Sequence, residues 1–158
     1  LDFAVSLNGW VADAAVSFVV GEQPDAADQR LIETTRRALA AGIAAAGPGK
    51  RIGDISHAIC TVLTGAGFRV NTEFGGHGVG TTMHQDPHVP NNGRPGRGLT
   101  LKPGMLLAIE PWVMADTDRL TVDRDGWTLR SSTGCRTAHS EHTVAITRAG
   151  AEILTQPA

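Results

Sequence analysis

Apolar-rich runs flank Asn8-Gly9 in LDFAVSLNGWVADAAVSFVVG, residues 1–21. Asn-Gly tolerates positive φ at both central positions of a type I′ turn, so this stretch predicts two strands folded as a hairpin. A two-residue turn also sets the register: Leu7 opposes Trp10, Ala4 opposes Asp13, and Asp2 opposes Ala15. From about residue 25 to residue 46 the pattern becomes that of a long helix, with Asp25 placed to cap its start and RRALAAGIAAA rich in helix formers. Pro48-Gly49 ends it. A second helix is predicted over about 52–64, where Ile52, Ile55, Ile59, Val62 and Leu63 form one apolar face, and Gly65 and Gly67 stop it.

The rest of the chain reads mostly as strand. FRVNTE predicts a short strand leading into the glycine-rich stretch GGHGVGTTMHQDPHVPN, and NNGRPGRG a loop. LKPGMLLAIEPWVM predicts a turn and then one buried strand. RLTVDRDGWTLRS predicts a hairpin turning at Asp125-Gly126, and TAHSEHTVAIT one long final strand. A hairpin, two helices and then strands predict a single α+β domain over residues 1–158, with helices on one face of an antiparallel sheet.

Composition narrows the function classes. With 158 residues, 41% hydrophobic and 19% charged, the chain is an ordinary globular sequence able to bury a core. Its net charge of −2 comes without a basic run, which argues against nucleic acid as a partner. No apolar stretch approaches the roughly 18 residues of a membrane span, and no signal peptide is apparent. Two cysteines, Cys60 and Cys135, are too few for a disulfide framework and suit a reducing compartment. The chain opens at Leu1 directly in a strand, which reads as the C-terminal part of a longer protein.

Several residues carry candidate chemistry. In the hairpin register, Asp2 and Asp13 sit diagonally on one face, roughly 7–8 Å apart at the backbone. They either hold divalent metal between them or point into water as edge-strand aspartates. Glu110 lies in the apolar run MLLAIEPWV, where a carboxylate must be paired, protonated or metal-bound. An arginine salt bridge and a metal both satisfy that need. In TAHSEHTVAIT, alternation places His139, Glu141 and Thr143 on one face and His142 on the other; a solvated face fits Glu141 as well as a site does. His77 stands among glycines that let backbone approach closely, in a loop or in a site. His57, in the second helix, and His88, after Pro87, read as surface and loop residues. Together Asp2, Asp13, His77, Glu110 and Glu141 make a set of four carboxylates and one imidazole, which suits two divalent ions such as Mn²⁺, Fe²⁺, Co²⁺ or Zn²⁺.

The order DFAVSLNGWVADAAVSF, GGHGVGTTMHQDPHVPN, MLLAIEPWV, DGWTL, EHTVAIT resembles the type I methionine aminopeptidases, and in particular the C-terminal part of their pita-bread catalytic domain. The resemblance implies a curved antiparallel sheet with helices on its outer face, the N-terminal part of the domain being missing. It implies that Asp13 and Glu141 bridge two divalent ions (Co²⁺, Mn²⁺, Fe²⁺ or Zn²⁺), that His77 and Glu110 complete one site, and that Asp2 completes the other. Glu110 would also shuttle a proton from the bridging water, and His84 would contact the scissile peptide. Met83, where the family usually has an aromatic residue, and Trp127 would line the methionine pocket. His139 stands where the family usually has glutamine. The implied substrates are nascent polypeptides with N-terminal methionine, met near the ribosome by a cytoplasmic monomer. Two other readings remain. One is an Xaa-Pro aminopeptidase or prolidase, though those usually show EPG and ED where this chain has Glu110-Pro111-Trp112 and Glu141-His142. The other is a non-catalytic binding protein on the same fold, which would have lost ligands.

Overall fold

The structure is a computed structural model describing residues 1–21, 23 and 25–156. Strands β1 (Asp2–Leu7) and β2 (Trp10–Ala15) form the expected hairpin. Asn8 has φ 51° and Gly9 φ 82°, so both central residues are left-handed, and the register pairs Asp2 with Ala15 and Ala4 with Asp13. Helix α1 (Ala26–Ala45) starts at Asp25, whose side chain accepts a hydrogen bond from the Ala27 amide. Helix α2 (Ile52–Gly65) buries Ile52, Ile55, Ile59 and Leu63, leaving Val62 at the margin. The two helices pack closely at Gly42, where any Cβ would come within 2.8 Å of Ile59.

The remaining elements are β3 (Arg69–Val70), β4 (Gly75–Gly78), β5 (Gln85–Pro90), β6 (Leu106–Ile109), β7 (Trp112–Met114), β8 (Leu120–Val122), β9 (Leu129–Ser131), β10 (Thr137–His139), β11 (Glu141–Ile146) and β12 (Ala151–Ile153). Among the described residues, a seven-stranded sheet runs β1-β2-β11-β6-β4-β5, with β12 also on β11. A smaller sheet is ordered β10-β7-β3, and β8 and β9 form a separate hairpin. Every pairing is antiparallel. The core lies between the helices and the main sheet, with Leu31, Ala38, Leu39, Ile55, Ile59 and Leu63 against Val89, Leu107, Ile109 and Val144.

Four expectations need correction. The buried run predicted as one strand across Glu110 is two, β6 and β7, in different sheets. Pro111 cannot donate to a ladder, and the chain leaves the main sheet there. The long final strand is also broken, at Ser140, into β10 of the small sheet and β11 of the main one. FRVNTE contributes only two strand residues; Asn71 turns the chain by accepting the amides of Glu73 and Phe74. His88 is not a loop residue but lies in β5, within the glycine-rich stretch that supplies β4 and β5.

Candidate active site

Strand order converts scattered residues into two neighbouring cross-strand rungs. The observed pairing puts Thr143 opposite Ala108 and Ala108 opposite His77. Extending the β2–β11 register by one residue sets Asp13 opposite Thr143. The first rung is therefore Asp13, Thr143, Ala108, His77. The second starts from Asp2 opposite Ala15 and Ala15 opposite Glu141, and one further residue of the β11–β6 register sets Glu110 opposite Glu141. Residues two apart on a strand share a face, so all five candidate ligands project from one side of the sheet. The alternate row faces the helices: Ala14 opposes His142, His142 opposes Ile109, and Ile109 lies against Gly42.

The junction of β2 and β11 is closed by a side chain. The Thr143 hydroxyl accepts the Asp13 amide and donates to the Asp13 carbonyl, both at 2.8 Å. The same hydroxyl thus stands in for two backbone partners at a buried position and fixes Asp13 beside Glu141.

His77 is held by its own neighbour. Its Nδ1 lies 2.9 Å from the Gly78 carbonyl. A carbonyl only accepts, so Nδ1 carries the proton and Nε2 presents its lone pair to the cleft. There Nε2 is 3.4 Å from Glu110 Oε1 and 4.0 Å from Asp13 Oδ2. Imidazoles that bind metal are commonly oriented by such a backbone bond. Glu110 is 8% exposed; its Oε2 accepts the Trp112 indole N–H at 2.7 Å, and its carbonyl accepts from Asn91 at 3.0 Å. No arginine pairs with it among the described residues.

The electrostatics of the cluster are those of charges that repel. Burial, and then the charges of Glu110, Asp13 and Asp2, push the Glu141 carboxyl up to about 9. Burial and the Asp2 charge likewise raise Asp13, partly offset by His77. Glu141 Oε1 is buried with no hydrogen-bond partner. Asp13, His77 and Glu141 each offer a ligand atom within 4.8 Å of the others, and so do Asp2, His139 and Glu141. A hard or borderline cation fits this donor set: it neutralises the repulsion and satisfies the orphan oxygen.

Above the rungs lies a cleft of about 690 Å³, lined by the five candidate ligands together with Phe74, Met83, His84, His88, Trp112 and Trp127. The His84 ring is tilted against the His77 ring at 4.4 Å. Met83 is 42% and Trp127 87% exposed, so the two sit at the rim. Phe74 stacks on Trp112 at 5.0 Å and 13°. His57 is exposed on α2, and His142 bonds Thr155 at 2.9 Å, away from the five-residue cluster. Sequence reasoning missed Thr143, Trp112 and Phe74 as supports. Of these, Trp112, two residues after Glu110, and Thr143, two residues after Glu141, offered a signal, through the spacing of alternate residues.

A curled antiparallel sheet with two helices on its outer side and a cluster of candidate metal ligands on its inner side defines the pita-bread architecture. Residues 1–148 match metallopeptidase family M24, and the chain belongs to that family. It is 46% identical to methionine aminopeptidase 1 of Mycobacterium tuberculosis, covering 98% of this chain and 60% of the relative. Identity to methionine aminopeptidase 1 of Bacillus subtilis is 44%, covering 99% and 62%. The crystal structure of a methionine aminopeptidase from Thermotoga maritima superposes with a TM-score of 0.95 at 45% identity, covering 99% of this chain and 62% of that one. A prolidase from Pyrococcus furiosus, at 24% identity and a TM-score of 0.75, shares the fold. The chain thus spans about three-fifths of the length of the curated relatives it matches.

Proposed function

We propose that this chain carries the catalytic centre of a methionine aminopeptidase, which removes N-terminal methionine from nascent polypeptides. The observation that carries the reading is the meeting of Asp2, Asp13, His77, Glu110 and Glu141 on two adjacent rungs of one sheet face. Two divalent ions, of Co²⁺, Mn²⁺, Fe²⁺ or Zn²⁺, would be held there. Asp13 and Glu141 would serve both, His77 and Glu110 would serve one, and Asp2 would serve the other. When bound, such ions supply Lewis acidity to the scissile carbonyl and to the attacking water.

The protein's own groups do the rest. Glu110 takes and returns the proton, its carboxylate aimed by the Trp112 N–H. His84 stands beside His77 at the cleft and hydrogen-bonds the scissile peptide rather than a metal. Met83 and Trp127 form the rim that receives the methionine side chain. The substrate's small, unbranched and polarisable thioether suits a pocket edged by a flexible methionine and an indole. The enzyme acts as a monomer in the cytoplasm, near the ribosome, without nucleic-acid or membrane partners. Among the described residues, no helix is long and apolar enough to cross a membrane.

Competition between peptides tests this reading. The metal-loaded protein should release methionine from Met-Ala-Ser and leave an Ala-Pro peptide intact. Turnover of the Ala-Pro peptide alone would move the assignment to the Xaa-Pro hydrolases. Failure to bind metal after reconstitution would favour a non-catalytic protein.

A further inference from the structure

We propose that His139 is a sixth metal ligand, giving a nitrogen donor to the ion on the Asp2 side. The inference rests on the dimetal reading above and adds to it a residue outside the five. His139, Asp2 and Glu141 each place a ligand atom within 4.8 Å of the others, as Asp13, His77 and Glu141 do. The two groups share Glu141 and have the same chemistry, two carboxylates and one imidazole. With His139 counted, both ions have nitrogen ligation. Without it, the Asp2 side offers only the oxygens of Asp2, Asp13 and Glu141.

The ring is built into its position. The His139 amide donates to Ser17 Oγ at 2.9 Å, and that hydroxyl donates back to the His139 carbonyl at 2.8 Å. The ring packs on Trp112, centroids 4.9 Å apart. Nδ1 lies 3.5 Å from Asp2 Oδ2, and Nε2 lies 3.2 Å from Glu110 Oε2. Proximity to Glu110 is not hydrogen bonding, however. Nε2 is buried with no hydrogen-bond partner, while Glu110 Oε2 accepts the Trp112 N–H. Glu141 Oε1, in the same cage, is also unpartnered. Buried polar atoms left without partners are costly, and a cation among Asp2, His139 and Glu141 would draw on the unpartnered Glu141 oxygen and on a ring nitrogen of His139.

An added imidazole shifts the Asp2 side from an all-oxygen set, suited to Mn²⁺, toward Co²⁺ or Zn²⁺. X-ray absorption of the cobalt-loaded protein counts the imidazoles directly. Wild type should show two imidazoles per two cobalt ions, and His139→Gln and His139→Ala one each. Calorimetry should show the second cobalt binding at least about tenfold more weakly in both variants, at or beyond the range seen for lost outer-shell support. An unchanged imidazole count, even with weaker binding, would make His139 a positioning residue and overturn the proposal. If the variants do not fold, the wild-type count still decides: two supports ligation, one refutes it. Failure of wild type to bind cobalt at all would overturn the dimetal reading, and this inference with it, an outcome distinct from binding with a single imidazole.

Discussion

Replacing Glu141 with glutamine should stabilise the metal-free protein while abolishing its capacity to bind two ions. Glu141 is 2% exposed and faces three other carboxylates. Its carboxyl is pushed from 4.5 up to about 9, so at pH 7 it is protonated when folded and ionised when unfolded. A folded pKa above the unfolded one contributes stability that is fully present below pH 4.5 and lost as pH rises toward 9. At about 1.4 kcal/mol per pH unit, holding that proton at pH 7 costs the metal-free fold on the order of 3 kcal/mol. Glutamine is neutral and nearly isosteric, so it escapes this cost, but its second amide proton needs a partner that the site lacks, a loss of about 1–2 kcal/mol. The net gain should be about 1–2 kcal/mol near pH 7, vanishing or reversing near pH 5. Urea denaturation of metal-stripped wild type and Glu141→Gln at the two pH values measures it. Added Mn²⁺ at about a hundred times its dissociation constant should then stabilise wild type by about 2.7 kcal/mol and the variant by much less. A metal-free variant less stable than wild type by the same margin at both pH values would refute the carboxylate-repulsion account.

Other substitutions probe the supports and roles separately. Thr143→Val removes both hydrogen bonds to the Asp13 backbone and leaves two buried polar groups unpaired, so it should cost about 2–4 kcal/mol in chemical denaturation and weaken metal binding; a loss below about 0.5 kcal/mol would show that water replaces the hydroxyl. In Gly76→Ala the new Cβ would sit 2.1 Å from the Ala108 carbonyl oxygen, so β4 must separate from β6 and metal affinity should fall together with Tm. Glu110→Ala should abolish peptide hydrolysis while circular dichroism stays native, since it removes a proton carrier and a ligand; near-normal turnover would contradict its role. His84→Ala should lower kcat with metal content unchanged, and loss of metal in that variant would make His84 a ligand.

Local chemistry carried the early part of the fold. Asn8-Gly9 fixed both turn and register, so the diagonal placement of Asp2 and Asp13 followed from the strand pattern on either side of it and agrees with the observed pairing. Helix limits were equally local, because Asp25 caps one helix and the isoleucine face defines the other. Strand order was different in kind. Nothing near Glu141 announces that its strand lies between β2 and β6, yet that order is what sets Glu141 between Asp2 and Glu110. The breaks at Pro111 and Ser140 were hidden by continuous apolar runs, which look alike whether one sheet or two bury them. Resemblance to the family, rather than periodicity, separated the roles expected of His77 and His84. The structure places the first inside the carboxylate cluster and the second against its ring.

Five side chains on two rungs are proposed to hold a pair of divalent ions. Anomalous diffraction from crystals of the Mn²⁺-loaded protein tests this most directly. Two peaks should appear, both flanked by Asp13 and Glu141, with His77 and Glu110 beside one and Asp2 beside the other. A single peak, or density centred on His84 away from Glu141, would contradict the account.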